Sequence, residues 1–364
     1  MNDTYLITGF PGFISANLIR FIIENNDYDH IYLLVLNEKV DDATQLLEKI
    51  SIEEEKSTHK ITIIKGDITK SNIGVQAQEL ELLNQKVTHI FHLAALYDLA
   101  APFDQADKVN VTGTANVNSF AQQCKNLKRY IYFSTAYVSG KREGKIYEHE
   151  LDQDQTFKNH YEQTKFQAEK MTEAIKSKVP ITIIRPGIVI GNSEHGTTSK
   201  FDGPYFILNY LRRIRAVPVI PYLGKGNALA NFVPIDYIIK GSMHLAHSET
   251  TVGKTFHLTD PNPYHAQDVY EMFTKSYLGK KPIGNVPLTA GRLFLSFSIF
   301  RRWFRVEKEA LDYFYCDSDY DCTEAINELN QANIHCPDLK DYLPNIVNFY
   351  KQFENDWTKH IEVS

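Results

Sequence analysis

The chain has 364 residues, 43% of them hydrophobic and 23% charged, and its 39 basic against 45 acidic side chains give a net charge of −6. This composition excludes collagen-like, coiled-coil and disordered chains and leaves room for one large α/β core with an appended lobe. No run of Lys and Arg is long enough to track a phosphate backbone, so nucleic acid is not an expected partner. The four cysteines (Cys124, Cys316, Cys322, Cys336) show no C-x-x-C spacing, so neither a disulfide framework nor a metal site is expected. The segment Met1–Tyr5 lacks the basic start and apolar stretch of a signal peptide. No window reaches the roughly 20 apolar residues of a membrane span. The most apolar window, Leu293 to Phe300, is short and flanked by Arg292, Arg301 and Arg302. A cytoplasmic protein without a membrane span is expected, with weak contact to a membrane or lipid left open.

In chain order, short apolar runs at 5–8, 31–36, 61–64, 89–93, 130–133 and 181–184 read as strands, and the stretches between them have helical spacing. Alternation of this kind predicts a doubly wound parallel sheet. Residues 14–23 place Ile14, Leu18, Phe21 and Ile22 on one helix face, and 159–178 reads as a second helix that Val179-Pro180 stops. From 192 to 230, Gly and Pro mark loops around a helix near 205–214; 231–235 and 254–258 again read as strands, and 261 onward is helical and aromatic. The expected organisation is a sheet domain from 1–191 plus about 231–259, and a smaller, mostly helical substrate lobe from about 192–230 plus 260–364.

Two local patterns carry chemistry. Gly9-Phe10-Pro11-Gly12-Phe13-Ile14-Ser15 lies between the first strand and first helix, where glycines let backbone amides face a pyrophosphate. Ser15 stands where a third glycine is usual. At the end of the second strand, Asn37 and Glu38 offer hydrogen bonds to a ribose and Lys39 offers a charge to a 2′-phosphate, which leaves NAD and NADP both open. Further on, Tyr161 and Lys165 are four residues apart on one helix face, where an ammonium can tune a phenol as an acid or base. Ser134 and Thr135 end the fifth strand and can hold a carbonyl oxygen or merely cap the strand.

Together these residues resemble the extended short-chain dehydrogenase/reductase family, with its Rossmann sheet. The resemblance rests on the loop at 9–15, Gly66-Asp67-Ile68, His92-Leu93-Ala94-Ala95, Asn110-Val111-Thr112-Gly113-Thr114, Ser134-Thr135-Ala136, the Tyr161/Lys165 pair and Arg185-Pro186-Gly187-Ile188-Val189. It implies a triad of Thr135, Tyr161 as proton donor and Lys165, with Asn110 positioning the site. It also implies a dinucleotide along Gly9, Pro11, Gly12, Phe13, Ile14, Asn37, Asp67, Ile68, Leu93, Ala94, Ala95 and Pro186, Gly187, Ile188 and Val189. His92 to Leu99, Ser134 to Tyr137 and Gly191-Asn192-Ser193 followed by Asp202-Gly203-Pro204-Tyr205 are similar to the male-sterility branch, which contains fatty acyl-CoA reductases and thioester-reductase domains. That narrower resemblance implies reduction of an acyl thioester or fatty aldehyde, with Tyr97, Ala136 and Tyr137 at the substrate. Members that favour NADPH usually carry Arg where this chain has Leu36 or Asn37, so NADP(H) is only slightly preferred to NAD.

In the lobe, Phe294, Phe297, Ile299, Phe300, Trp303 and Phe304 can wall an acyl channel or simply form a core, and Arg301, Arg302 and Arg305 can meet a phosphate. The expected partners are a small-molecule or acyl-carrier substrate and a second copy of the chain. Two other functions compete: a nucleotide-sugar epimerase or dehydratase, and a dinucleotide sensor without chemistry. The sensor has no use for Thr135, Tyr161 and Lys165 together.

Overall fold

The computed structural model describes residues 3–361 except 26, 27, 225, 288, 290–292, 294, 295 and 307–316. Arg292, Phe294 and Cys316 lie outside the described residues, as does the side chain of Phe300. Strands β1 (Asp3–Thr8), β2 (Tyr28–Val35), β3 (Ile61–Lys65), β4 (His89–His92), β5 (Arg129–Phe133), β6 (Ile181–Pro186) and β7 (Thr255–Leu258) form one parallel sheet. Their order is β3-β2-β1-β4-β5-β6-β7. The strands are near-continuous in apolar residues because both sheet faces are covered.

Helices α1 (Phe13–Asn25) and α2 (Val40–Glu53) cover one face, and α3 (Ala77–Lys86), α4 (Gly113–Gln123) and α5 (His160–Glu173) cover the other. Helix α6 (Tyr205–Ile214) leaves the sheet, α7 (Ile235–His247) returns to the first face, and α8 (Ala266–Leu278) and α9 (Ser298–Phe304) leave again. Helix α10 (Thr323–Leu329) then packs on the sheet, and α11 (Leu339–Phe353) joins α6 and α8 in a separate aromatic cluster around Phe201, Tyr205, Phe273 and Tyr350.

The structure departs from the sequence reading at several points. On α1 the buried stripe is Leu18, Ile19, Ile22 and Ile23, whereas Ile14 and Phe21 are only partly covered. Helix α5 stops at Glu173, and 174–178 tighten into turns before Pro180, with Ile175 N bonding Thr172 O. Glu53, the last residue of α2, and Glu54 both hold Arg20 of α1 at 2.6 Å. Cys322, just ahead of α10, and Ala325 and Leu329 within it share a core with Phe256 and Leu258 of β7, because the outermost strand exposes an apolar face that a short amphipathic helix covers. Cys124, Cys322 and Cys336 are free thiols.

Candidate active site

The order β2-β1-β4 places a crevice at the carboxyl ends of β1 and β4, where connections leave in opposite directions. The first loop is shaped for close approach. Gly9 has φ +86°, and a Cβ there would stand 2.8 Å from Ala94 N; a Cβ on Gly12 would stand 2.6 Å from Gly9 O. Ser15 Oγ donates to the carbonyls of Gly9 and Gly12, both at 3.0 Å, so this serine ties the turn to its helix. The first turn of α1 carries no acidic side chain. Its amides lack intrahelical acceptors and suit an anion. A dinucleotide pyrophosphate therefore fits the residues present.

Across the crevice, Thr8 Oγ1 accepts from the amides of Leu93 and Ala94 at 3.2 and 3.1 Å, so its proton goes to His92 Nδ1 at 2.8 Å. The other ring nitrogen, Nε2, then donates to Thr114 Oγ1 at 3.1 Å. Burial, with the Lys165 charge second, pulls His92 down to about 3. His92 is thus a neutral strut that fixes the loop 93–95 over β1. Asn110 sits in a widened helical turn, Asp107–Thr112, a form common at functional sites. Its side chain accepts from Leu96 N at 2.8 Å and donates to Leu96 O and Thr164 Oγ1, both at 3.0 Å. Asn110 thereby anchors the 93–96 loop to α5.

Thr135 follows β5 and caps a short turn, Ala136–Ser139, its Oγ1 accepting from Tyr137 N at 3.3 Å. Helix α5 begins when Asn159 Oδ1 accepts from Glu162 N at 2.9 Å, which sets Tyr161 in the first turn and Lys165 one turn on. Burial pushes the Tyr161 phenol up to about 12, against the opposing pull of a hydrogen bond from Thr135. Burial also pulls Lys165 down to about 7, against the Glu169 carboxylate. Lys165 Nζ donates to Phe133 O at 2.7 Å and stands 4.5 Å from the centre of the Tyr132 ring.

Ser134 turns the other way. Its hydroxyl donates to Glu169 Oε2, while Arg185 donates to Glu169 Oε1 through Nε at 2.9 Å and Nη2 at 2.6 Å. Arg185 Nη1 also donates to His257 Nε2 at 3.1 Å, and His257 Nδ1 donates to Asp321 O at 2.6 Å. Beside them the Glu148 carboxylate accepts the amides of His257, Glu324 and Ala325, yet burial still raises it to about 7. This buried network ties together the ends of β5, β6 and β7 next to Thr135.

The remaining candidates are distributed around the crevice. Asn37 is exposed after β2, and Lys39 is held by Asp42 at 2.9 Å. Asp67 Oδ1 accepts from Thr69 N and Oγ1, while Ile68 is buried against Gly113, its carbonyl accepting from Asn116 at 2.7 Å. Pro186 and Gly187 are buried and Ile188 and Val189 half-buried; a Cβ on Gly187 would stand 2.5 Å from Asn231 Oδ1. Tyr97 is exposed, Tyr137 half-buried against Tyr320, and the Ala136 methyl is buried with Ile146 and Tyr320. In the lobe, Phe297, Ile299 and Trp303 are exposed, so they form neither a core nor an enclosed wall; of this short segment, Phe304 and Val306 pack against Phe206 and Tyr210. At the opposite edge of the sheet Asp3, His89 and His247 come together, but the Asp3 carboxylate already takes the Lys128 ammonium at 2.7 Å.

The family model for the male sterility protein matches residues 7–242. The chain belongs to that family. It is 28% identical over 277 residues to one of the subunits making up the linear gramicidin synthase of Brevibacillus parabrevis, a match covering 72% of this chain and 5% of that one. It is 27% identical over 277 residues to a putative fatty acyl-CoA reductase of Drosophila melanogaster, covering 65% and 50%. The chain thus spans half or less of the length of these curated relatives. Among solved structures, the terminal R domain from the myxalamid PKS-NRPS pathway superposes with a TM-score of 0.80 at 22% identity, covering 99% of this chain and 93% of that one. A UDP-glucuronic acid 4-epimerase from Bacillus cereus in complex with NAD gives 0.67 at 18% identity, covering 96% and 99%. These likenesses establish a shared fold. Among the described residues no helix is long and apolar enough to cross a membrane.

Sequence reasoning did not find the Glu169, His257 and Glu148 network or the Thr8–His92–Thr114 chain. Only Glu169 left a signal, standing one turn beyond Lys165 on the face that carries Tyr161.

Proposed function

We propose that the protein reduces the carbonyl of an acyl thioester or fatty aldehyde with a nicotinamide dinucleotide. The observation that supports this most is a buried Tyr161 hydrogen-bonded to Thr135 at the carboxyl edge of the sheet, one helical turn before Lys165, whose Nζ is fixed on Phe133 O just ahead of Thr135. Bound along Gly9 to Ile14, Asp67, Ile68, Leu93 to Ala95 and Pro186 to Val189, the dinucleotide would supply hydride to the carbonyl carbon. Everything else falls to the protein. With its pKa pushed up to about 12, Tyr161 holds its proton at neutral pH and can give it to the oxygen that gains negative charge. The Thr135 hydroxyl favours the phenolate once that proton has gone. Burial lowers Lys165 to about 7, and its Nζ donates to Phe133 O at the end of β5, two residues before Thr135. Asn110, through Leu96, keeps the 93–96 loop in place.

NADP(H) is the preferred dinucleotide in this proposal, with Lys39 as the group for a 2′-phosphate. Lys39→Ala then raises KM for NADPH more than for NADH; equal changes reject the assignment. Tyr161→Phe tests the mechanism: dinucleotide binding persists while thioester and aldehyde turnover is lost. Full activity in that variant rejects the role of Tyr161.

A further inference from the structure

Two stretches of the chain, 203–235 and 272–306, contain no Asp or Glu, although the whole chain carries a net charge of −6. The first holds four Lys or Arg and the second seven. The fold brings these stretches together in the lobe. Arg213 stacks 5.7 Å from the centre of the Trp303 ring, Asn209 Nδ2 donates to Arg305 O at 3.2 Å, and Lys280 Nζ donates to Val217 O at 3.0 Å. A short parallel pair, Tyr222–Leu223 with Asn285–Val286, joins them again. Positive charge is therefore concentrated on one part of an otherwise acidic protein. Two carboxylates that flank it are already engaged: Glu354 by Arg212, Arg215 and Tyr277, and Glu271 by Lys275, Lys281 and Tyr222. Arg213 and Arg302 take part in none of these pairs.

The same region exposes bulky apolar side chains. Ile299 and Trp303, one turn apart on α9, are 70% and 48% exposed, and Val217, Val219 and Ile283 are exposed on the adjoining loops. Single exposed apolar residues need no explanation, but a group of them interleaved with cations does. Arg301 and Arg302 stand between Ile299 and Trp303 along the helix, so a matching surface must offer anions and an apolar medium within about 5–10 Å of each other. That is the layout of a bilayer interface. We propose that this face of the lobe docks on an anionic phospholipid bilayer. Ile299 and Trp303 enter the boundary between headgroups and acyl chains, while Arg213, Arg215, Lys281 and Arg302 meet lipid phosphates. The contact lies outside the crevice and stands apart from the catalytic proposal, because binding is read without turnover.

The chain has two tryptophans, Trp303 and Trp357, and both stack on lobe arginines, so intrinsic fluorescence reports on this face. The experiment mixes the full chain, saturated with NADP+, with vesicles of phosphatidylcholine alone or of phosphatidylcholine with phosphatidylserine, and follows flotation with the lipid and tryptophan emission. Vesicles containing phosphatidylserine should carry the protein and shift its emission to the blue, and added salt should release it; phosphatidylcholine alone should do neither. Arg302→Gln combined with Lys281→Gln should weaken binding about thirtyfold, from roughly fivefold for each charge. Ile299→Ser should weaken it at low and high salt alike, since its share is apolar. NADP+ affinity should hold in every variant, which shows that each is folded. Equal binding to both kinds of vesicle, unchanged binding in the variants, or capture by soluble polyglutamate with no partition into vesicles would overturn the proposal. Vesicle binding lost in the variants, by a protein that reduces neither thioester nor aldehyde, would instead reject the catalytic proposal and leave the docking face standing.

Discussion

At the carboxyl edge of the sheet the buried charges meet acceptors supplied by neighbouring elements: Arg185 is gripped by Glu169, and Lys165 donates to Phe133 O. In the lobe the opposite holds, since Arg305 stacks on Trp357 while its Nη1 finds no acceptor among the described residues. Where charge is internally satisfied it stiffens a frame that positions Thr135 and Tyr161. The difference is between a charge network closed on itself and a buried cation held by stacking alone.

The sharpest break in that comparison is Tyr161→Phe. Removing the proton donor should cost about 10²–10⁴ in turnover, with dinucleotide binding retained, as followed by NADPH consumption and equilibrium titration. Stability gives the next contrast. Glu169→Gln breaks a fully buried ion pair and should cost about 3–5 kcal/mol in urea unfolding. Arg305→Met removes a buried guanidinium whose Nη1 has no hydrogen-bond partner among the described residues and should raise the unfolding midpoint; a comparable loss in both variants would erase the distinction between the two regions.

Acid and base should separate the sheet-edge groups further. Glu148, raised from 4.5 to about 7, keeps a proton in the folded state that the unfolded chain releases, so its contribution is full below pH 4.5 and is lost as pH rises through 7. Lys165, lowered from 10.5 to about 7, gives up a proton that the unfolded chain keeps, so its contribution is full above pH 10.5 and is lost as pH falls through 7. Together they place a minimum near pH 7. Unfolding midpoints measured across pH should lose the acid limb in Glu148→Gln, whose carbonyl still accepts amides, and the alkaline limb in Lys165→Met. The smallest effect belongs to the lobe: Tyr350→Phe deletes the bond to Asn209 Oδ1 at 2.9 Å and should cost about 1 kcal/mol without altering dinucleotide affinity.

What was legible in the sequence follows the reach of each interaction. Gly9, Gly12 and Ser15 act within one turn, and Tyr161 and Lys165 within one helix, so their spacing spells out the geometry. All seven sheet strands showed as apolar runs, the inner ones because both of their faces are buried and the edge strand β3 with only Ile64 fully covered. The partners of Arg185 come from α5, β7 and the segment carrying Glu148, and the arginines of the lobe come from α6 and the end of α9, so no local pattern ties them together. The return of α10 to the sheet escaped for the same reason: an amphipathic helix says which face is buried, not against what.

The central claim is tested most directly by NADPH and NADH consumption with matched long-chain acyl-coenzyme A and fatty aldehyde, in wild type and Tyr161→Phe. The account predicts turnover by the wild type and its loss in the variant while the dinucleotide still binds. A dinucleotide that binds tightly while neither substrate is reduced would contradict it.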